Sequence, residues 1–206
     1  LVRSRGLGDV YKRQIENKTL IFYTNGLLGS RKSQTYSNFN DFMYNLSYWS
    51  SWSNGFNIWK SEFDKIDKNL KLNKLFPHTS LFLTQHQAKL FCINDNLLFD
   101  VQRIPKRGGH NKFEAFTIEY PSLLDECCKK GHISTKCKKH ILFGIMVQFL
   151  PSLLFNKYII RIETFDDMGF RNNLKKYYPS YAYWLVLISV LGVPFRLFCR
   201  KLKNKR

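Results

Sequence analysis

Residues 181–195 read Tyr-Ala-Tyr-Trp-Leu-Val-Leu-Ile-Ser-Val-Leu-Gly-Val-Pro-Phe, without a single charge. A basic tail follows at once, with Arg196, Arg200, Lys201, Lys203, Lys205 and Arg206. Carried on to Cys199, the run approaches the ~20 residues that cross ~30 Å of hydrocarbon. Residues 180–199 are therefore expected to form a transmembrane helix, and residues 200–206 its basic tail. Tyr177, Tyr178, Tyr181, Tyr183 and Trp184 crowd the upstream end, as an interfacial aromatic belt does. Arg196 lies near the other end, where it can snorkel to the head groups, and Pro194 kinks or stops the helix there. The alternative is a buried helix of a soluble core. Such a helix is rarely apolar on every face, so length and flanks favour the membrane. The tail outweighs Arg171, Lys175 and Lys176 on the other flank, which puts the tail on the cytoplasmic side.

A second apolar stretch, Ile141 to Phe155, is interrupted by Gln148 and Pro151. Its length fits a core helix, an interfacial segment or a re-entrant hairpin better than a full span. If it crossed, the upstream domain would be cytoplasmic; if not, that domain faces outward.

The chain begins at Leu1, as a fragment would, and residues 1–14 resemble a translated sequencing-adapter tail. They are set aside from the fold. They hold Arg3, Arg5, Lys12 and Arg13 against Asp9, so the formal +18 is still +15 over the rest. Residues 15–165 suffice for one modest domain with its own core. The surplus charge fits either anionic lipid, at about 1 kcal/mol per cation, or nucleic acid. Its position beside apolar segments favours the lipid bilayer, with anionic lipids met by the tail.

Local signals predict a mixed α+β domain. Leu20 to Tyr23 is a short strand ending at Asn25-Gly26, a hairpin turn pair, and Gln34 to Tyr36 starts the return strand. The aromatic text from Phe39 to Trp59 fills a core, with base or sugar stacking as the specialised alternative. Phe63, Ile66 and Leu70 follow helical spacing within Lys60–Leu75, which Pro77 stops. Ser80 caps a helix running to Phe91, and Asn94-Asp95-Asn96 ends it. Leu97–Ile104, Phe113–Tyr120 and Tyr158–Ile162 are strand candidates, with Pro105–Gly109 a loop.

Five irregularly spaced cysteines are no disulfide framework. Cys128, His132, Cys137 and His140 put four borderline-soft ligands within thirteen residues, a zinc candidate. The half from His132 to Cys137 resembles a zinc knuckle, but Cys127 and Cys128 are adjacent where that family has two residues between them. A basic loop with incidental Cys and His is the competing reading. Glu163, Asp166 and Asp167 could do acid–base work or simply line a solvated turn. No nucleophile elbow, zinc-protease helix, phosphate loop or dinucleotide fingerprint occurs, so no catalytic residue and no cofactor is assigned, and the chain is not read as an enzyme.

Ala88-Lys-Leu-Phe-Cys-Ile-Asn-Asp-Asn-Leu97 and Asp167-Met-Gly-Phe-Arg-Asn-Asn-Leu174, followed by Pro179, Trp184-Leu-Val186 and Val193-Pro-Phe-Arg196, together resemble the transmembrane protein 151 family. Tyr23-Thr24-Asn25-Gly26 matches a hairpin motif there. The resemblance is discontinuous over residues 15–200, with no counterpart from about Gln102 to Arg161. It implies a multi-pass membrane protein whose earlier helices precede this domain, and it carries no assigned activity. The expectation is an integral membrane protein with a structural or interaction role. The alternative is a basic nucleic-acid module with a zinc loop.

Overall fold

The computed structural model describes residues 18–98 and 111–204. Most of the expected strand at Leu97–Ile104, the loop at Pro105–Gly109 and residues 1–14 lie outside the described residues. The fold is mixed α and β. A small three-stranded sheet packs on helices, and longer helices make up the second half of the chain.

The strands are β1 (Leu20–Tyr23), β2 (Ser33–Tyr36) and β3 (Phe91–Asn94), in the order β1-β3-β2. The expected Asn-Gly turn forms: Asn25 and Gly26 have φ of 50° and 78°, and the Leu27 N–H donates to the Thr24 carbonyl at 3.0 Å. It does not make a hairpin, because β3 lies between the two strands. β1 pairs with β3 in parallel, Leu20 opposite Phe91, and β2 pairs with it antiparallel, Tyr36 opposite Phe91. Burial explains the order. Phe91, Cys92 and Ile93 are all buried, so this backbone needs a partner on each side. Ser33, Gln34 and Thr35 are exposed and suit only an edge. The helix expected through Phe91 therefore stops earlier.

The sheet rests on α1 (Phe39–Leu46) and α3 (Pro77–Thr84). Asn38 caps α1 by accepting from the Asp41 N–H at 2.8 Å. Pro77 opens α3 instead of stopping a helix before it, as a proline in the first turn can. Phe22, Phe39, Phe42, Phe82 and Phe91 form one aromatic core, with ring centroids 5.2 Å apart for Phe42–Phe91 and 5.4 Å for Phe22–Phe82. The aromatic stretch is thus mainly packing material. Only Lys60–Phe63 (α2) of the expected Lys60–Leu75 helix forms. Phe63, Leu70 and Leu72 stay exposed, so no neighbour rewards a longer helix.

Residues 112–129 form one helix, α4, where a strand was expected at Phe113–Tyr120. The apparent alternation hides a helical row: Phe113, Thr117, Tyr120 and Leu124 are all buried and recur every three or four positions. α5 (Thr135–Tyr158) contains the Ile141–Phe155 run. The expected strand at Tyr158–Ile162 is the end of α5 and an exposed coil. Then come α6 (Phe170–Tyr177), α7 (Ala182–Val190) and α8 (Val193–Asn204).

Both long helices contain a π turn just before a proline. The Tyr120 N–H reaches Ala115, and the Leu150 N–H reaches Ile145. Pro121 and Pro151 follow, each without an N–H. The carbonyl four residues before such a proline has no ordinary helical donor, and a π turn displaces its neighbour's donor too. Side chains from the C-terminal elements take up the freed carbonyls. Tyr178 Oη donates to the Phe116 carbonyl at 2.6 Å, and the Arg196 guanidinium donates to the Val147 carbonyl. The residues after α6 and within α8 are thereby tied to α4 and α5. Tyr178→Phe and Arg196→Met should each lower stability by about 1–2 kcal/mol, read as a shift in the thermal unfolding midpoint. Unchanged midpoints in both variants would mean that these bonds hold nothing together.

Candidate functional site

The Cys/His segment is a helix–turn–helix corner, not a loop. Gly131, at φ 75°, follows the Lys130 cap, and the N–H groups of Gly131 and His132 donate to the Cys128 and Cys127 carbonyls at 3.0 Å each. This is a Schellman ending, which a left-handed glycine permits. Ser134 then caps α5 by accepting from the Cys137 N–H at 3.1 Å. The four expected zinc ligands are dispersed around this corner. Cys128 Sγ lies 3.7 Å from Thr135 Oγ1. His132 stacks on His86 with ring centroids 3.5 Å apart. Cys137 is buried, its thiol donating to the Asn40 carbonyl. His140 stacks on Tyr44 at 3.9 Å. Among the described residues, no group of three or more His, Cys, Asp and Glu side chains could hold a metal ion. The four residues are divided between α4, the turn and α5, and Thr135, His86, Asn40 and Tyr44 each engage a different one of them. Burial pushes the Cys137 thiol up to about 12, the reverse of what a thiolate ligand requires.

The carboxylates at residues 163–167 also part company. Glu163 pairs with Lys112 at 2.9 Å, and Asp167 with Lys157 at 2.6 Å and with the Tyr158 hydroxyl. Asp166 accepts from the Met168 N–H at 2.9 Å. They are structural partners of neighbouring chain, not an acid–base pair.

The most concentrated polar constellation is one that the sequence expectations passed over. Asp95 follows β3 and is completely buried. One carboxylate oxygen accepts from Thr24 Oγ1 at 2.6 Å and from the Leu28 N–H at 3.0 Å. The other accepts from the Ser30 N–H at 2.7 Å, from Ser30 Oγ at 3.0 Å and from the Arg31 N–H at 3.0 Å. Because β1 and β3 are parallel, Thr24 and Asp95 leave the sheet at the same edge. In open α/β sheets that edge is where ligands bind. Here the acceptor positions are taken by the chain itself, so the group closes the 24–31 loop instead of serving a substrate. Burial raises the Asp95 pKa, but the hydrogen bonds from Thr24, Arg31, Leu28 and Ser30 outweigh it and hold the carboxyl below its usual range. The visible signal was Asn94-Asp95-Asn96 paired with Thr24-Asn25-Gly26 at matching strand ends.

No family model, no curated protein and no solved structure matches this chain.

The terminal run differs from a single straight span. α7 and the part of α8 up to Cys199 are bent by 53° at residues 191–192, and only together are they long and apolar enough to cross a membrane. Their inner side carries Ala182, Val186 and Val193, all buried, and α7 packs along α5. The outer side is a row of large apolar groups, Tyr181, Trp184, Ile188, Leu191, Phe195 and Phe198, from 58 to 81 % exposed. Their spacing of three and four residues keeps one face of each helix apolar. α5 is the one described helix long and apolar enough to span by itself, yet half of its apolar window is buried within the protein.

Two of the hollows lie far apart, one at the sheet end and one beside the terminal helices. One of about 760 Å³ near Trp59 is of mixed charge, with Glu62 bridging Lys18 at 3.2 Å and Lys65 at 3.0 Å. The other, of about 640 Å³, lies between the start of α5 and the α6–α7 connection.

Asp95→Asn replaces an acceptor-only group with an amide that faces donors, and should cost about 2–4 kcal/mol. Because the folded pKa is depressed, the stability contributed by Asp95 is present above the unfolded value of about 3.9 and is lost as pH falls through the folded value. The wild-type advantage over Asp95→Asn in urea unfolding should therefore shrink only on acidification below about pH 4. A second outcome concerns the thiols. At neutral pH a maleimide should label Cys128 before Cys92, Cys127 and Cys137, which are buried. Equal labelling of all four would contradict the helical corner.

Proposed function

We propose that this chain belongs to an integral membrane protein and serves a structural or interaction role, its α+β body held against the bilayer by α7 and α8. The observation that carries the reading is the outward apolar row from Tyr181 to Phe198. Apolar patches of this length are rare on monomers in water. Each such side chain transferred from water contributes about 1–2 kcal/mol. Cations lie at both ends of the row. Arg171 sits over the Tyr183 and Trp184 rings at 5.3 and 5.8 Å, and the basic tail begins within the last turn of α8. Anionic head groups add to apolar burial in such an arrangement.

Depth follows from packing. The inner face of α7 is occupied by α5, which leaves only the outer face for lipid. At the far end of α5 the chain returns as coil through Arg161, Glu163, Asp166 and Asp167. Irregular charged backbone does not cross hydrocarbon exposed to lipid. This favours a shallow seat for α7–α8, with α5 as its inner support and not a second span. Alkaline carbonate washing should leave the chain with the membranes. Ile188→Asp combined with Leu191→Asp and Phe195→Asp, all at exposed positions, should release it. Wild-type chain appearing in the supernatant would end the membrane reading.

A further inference from the structure

We infer that the cavity between α5 and the α6–α7 connection is a binding site for a single anionic phospholipid. The inference rests on the membrane reading above and names its ligand. The cavity measures about 640 Å³, within the range of small-molecule sites. Its walls divide by chemistry. Leu142, Phe143 and Met146 from α5 face Tyr177, Pro179 and Tyr181, while Lys138, Lys139 and His140 stand at the first turns of α5. Among the described residues no acidic side chain lines it, in contrast to the hollow at Trp59, which contains Glu62 and Asp67.

The two lysines are not equivalent. Lys138 is held by Asp125 at 2.8 Å. Lys139 is exposed and has no acidic partner among the described residues. An apolar slot with an uncompensated cation at one end is complementary to an acyl chain that carries a phosphate. Position agrees with chemistry. Tyr181 belongs both to the cavity wall and to the outward apolar row, so the slot opens where the proposed bilayer begins. Phe143, half exposed at the rim, and the tyrosines at 177 and 181 suit the head-group level. The phosphate would be met by Lys139, with Lys138 behind it, and one acyl chain would lie along Phe143 and Met146.

The test uses the full chain and three probes: phosphatidylcholine vesicles with and without phosphatidic acid, a soluble short-chain phosphatidic acid, and inorganic phosphate. Lys139→Ala should weaken binding of the short-chain lipid and of the anionic vesicles about fivefold, the equivalent of ~1 kcal/mol for one lysine. Lys136→Ala, also exposed on α5 but outside the cavity, should have much less effect. Phe143→Asp should weaken the short-chain lipid more than Lys139→Ala does. Inorganic phosphate should neither bind measurably nor compete. Equal losses for Lys136→Ala and Lys139→Ala, or equal competition by inorganic phosphate, would overturn the site while leaving membrane attachment intact. Failure to bind any vesicle, with short-chain lipid still bound through Lys139, would overturn the attachment and leave the site. Failure of every probe would overturn both.

Discussion

A proline inside a helix removes an N–H that the backbone cannot replace locally. Two such prolines, Pro121 and Pro151, sit inside the two longest described helices, each just after a π turn. Buried carbonyls require partners, and for Phe116 and Val147 they come from chain after Tyr158. The Tyr178 hydroxyl and the Arg196 guanidinium are the answer. These two bonds, with the buried Phe170, Leu174, Ala182 and Val186, hold α6, α7 and α8 against α4 and α5, and with them the outward apolar row. Arg196 thereby has a role different from snorkelling. Its charge is spent on a helix carbonyl, with the Ser189 carbonyl at 3.4 Å as a second acceptor.

The sheet end of the molecule is organised by a comparable demand met in the opposite way. There one buried carboxylate gathers donors from a single loop, so Asp95 substitutes for the partner strand that the loop lacks. Between the two ends, the stacked pair of His86 and His132 joins the chain after α3 to the corner between α4 and α5. Burial lowers the His132 pKa, with His86 and Lys130 adding to the effect. The contact therefore belongs to the neutral ring: it contributes fully above about pH 6.5 and is lost on acidification.

What could be read from residues alone follows from the range of the forces involved. β1 and the Asn25-Gly26 turn were legible, because a short apolar run and a positive-φ pair are local properties. The mixed class was legible for the same reason. β3 was not, since its extended state depends on neighbours far away in sequence, and Leu90-Phe91-Cys92-Ile93 suits a helix just as well. Phe113–Tyr120 alternated by accident over a helical row that continues to Leu124. The Cys/His segment promised a metal because ligand types were close in sequence, but they are divided between two helices and the turn that joins them, and here each found a separate partner. The apolar character of residues 181–195 was plain from composition. A break near Pro194 was legible too, since proline kinks or stops a helix, but the division into an inner and an outer face was not, because it arises from contact with α5.

The strand order has a consequence for how the chain is made. The central strand is the last of the three to be synthesised, and Thr24 is 71 residues from the carboxylate that holds it. Until Phe91–Asn94 emerges, β1 and β2 have no ladder to join, and the 24–31 loop has nothing to close around. Closing so long a loop is slow, as non-local pairing generally is. A nascent chain cut short before Phe91 would therefore expose Leu20, Ile21 and Phe22 as an unpaired apolar edge, a natural target for chaperones and for aggregation.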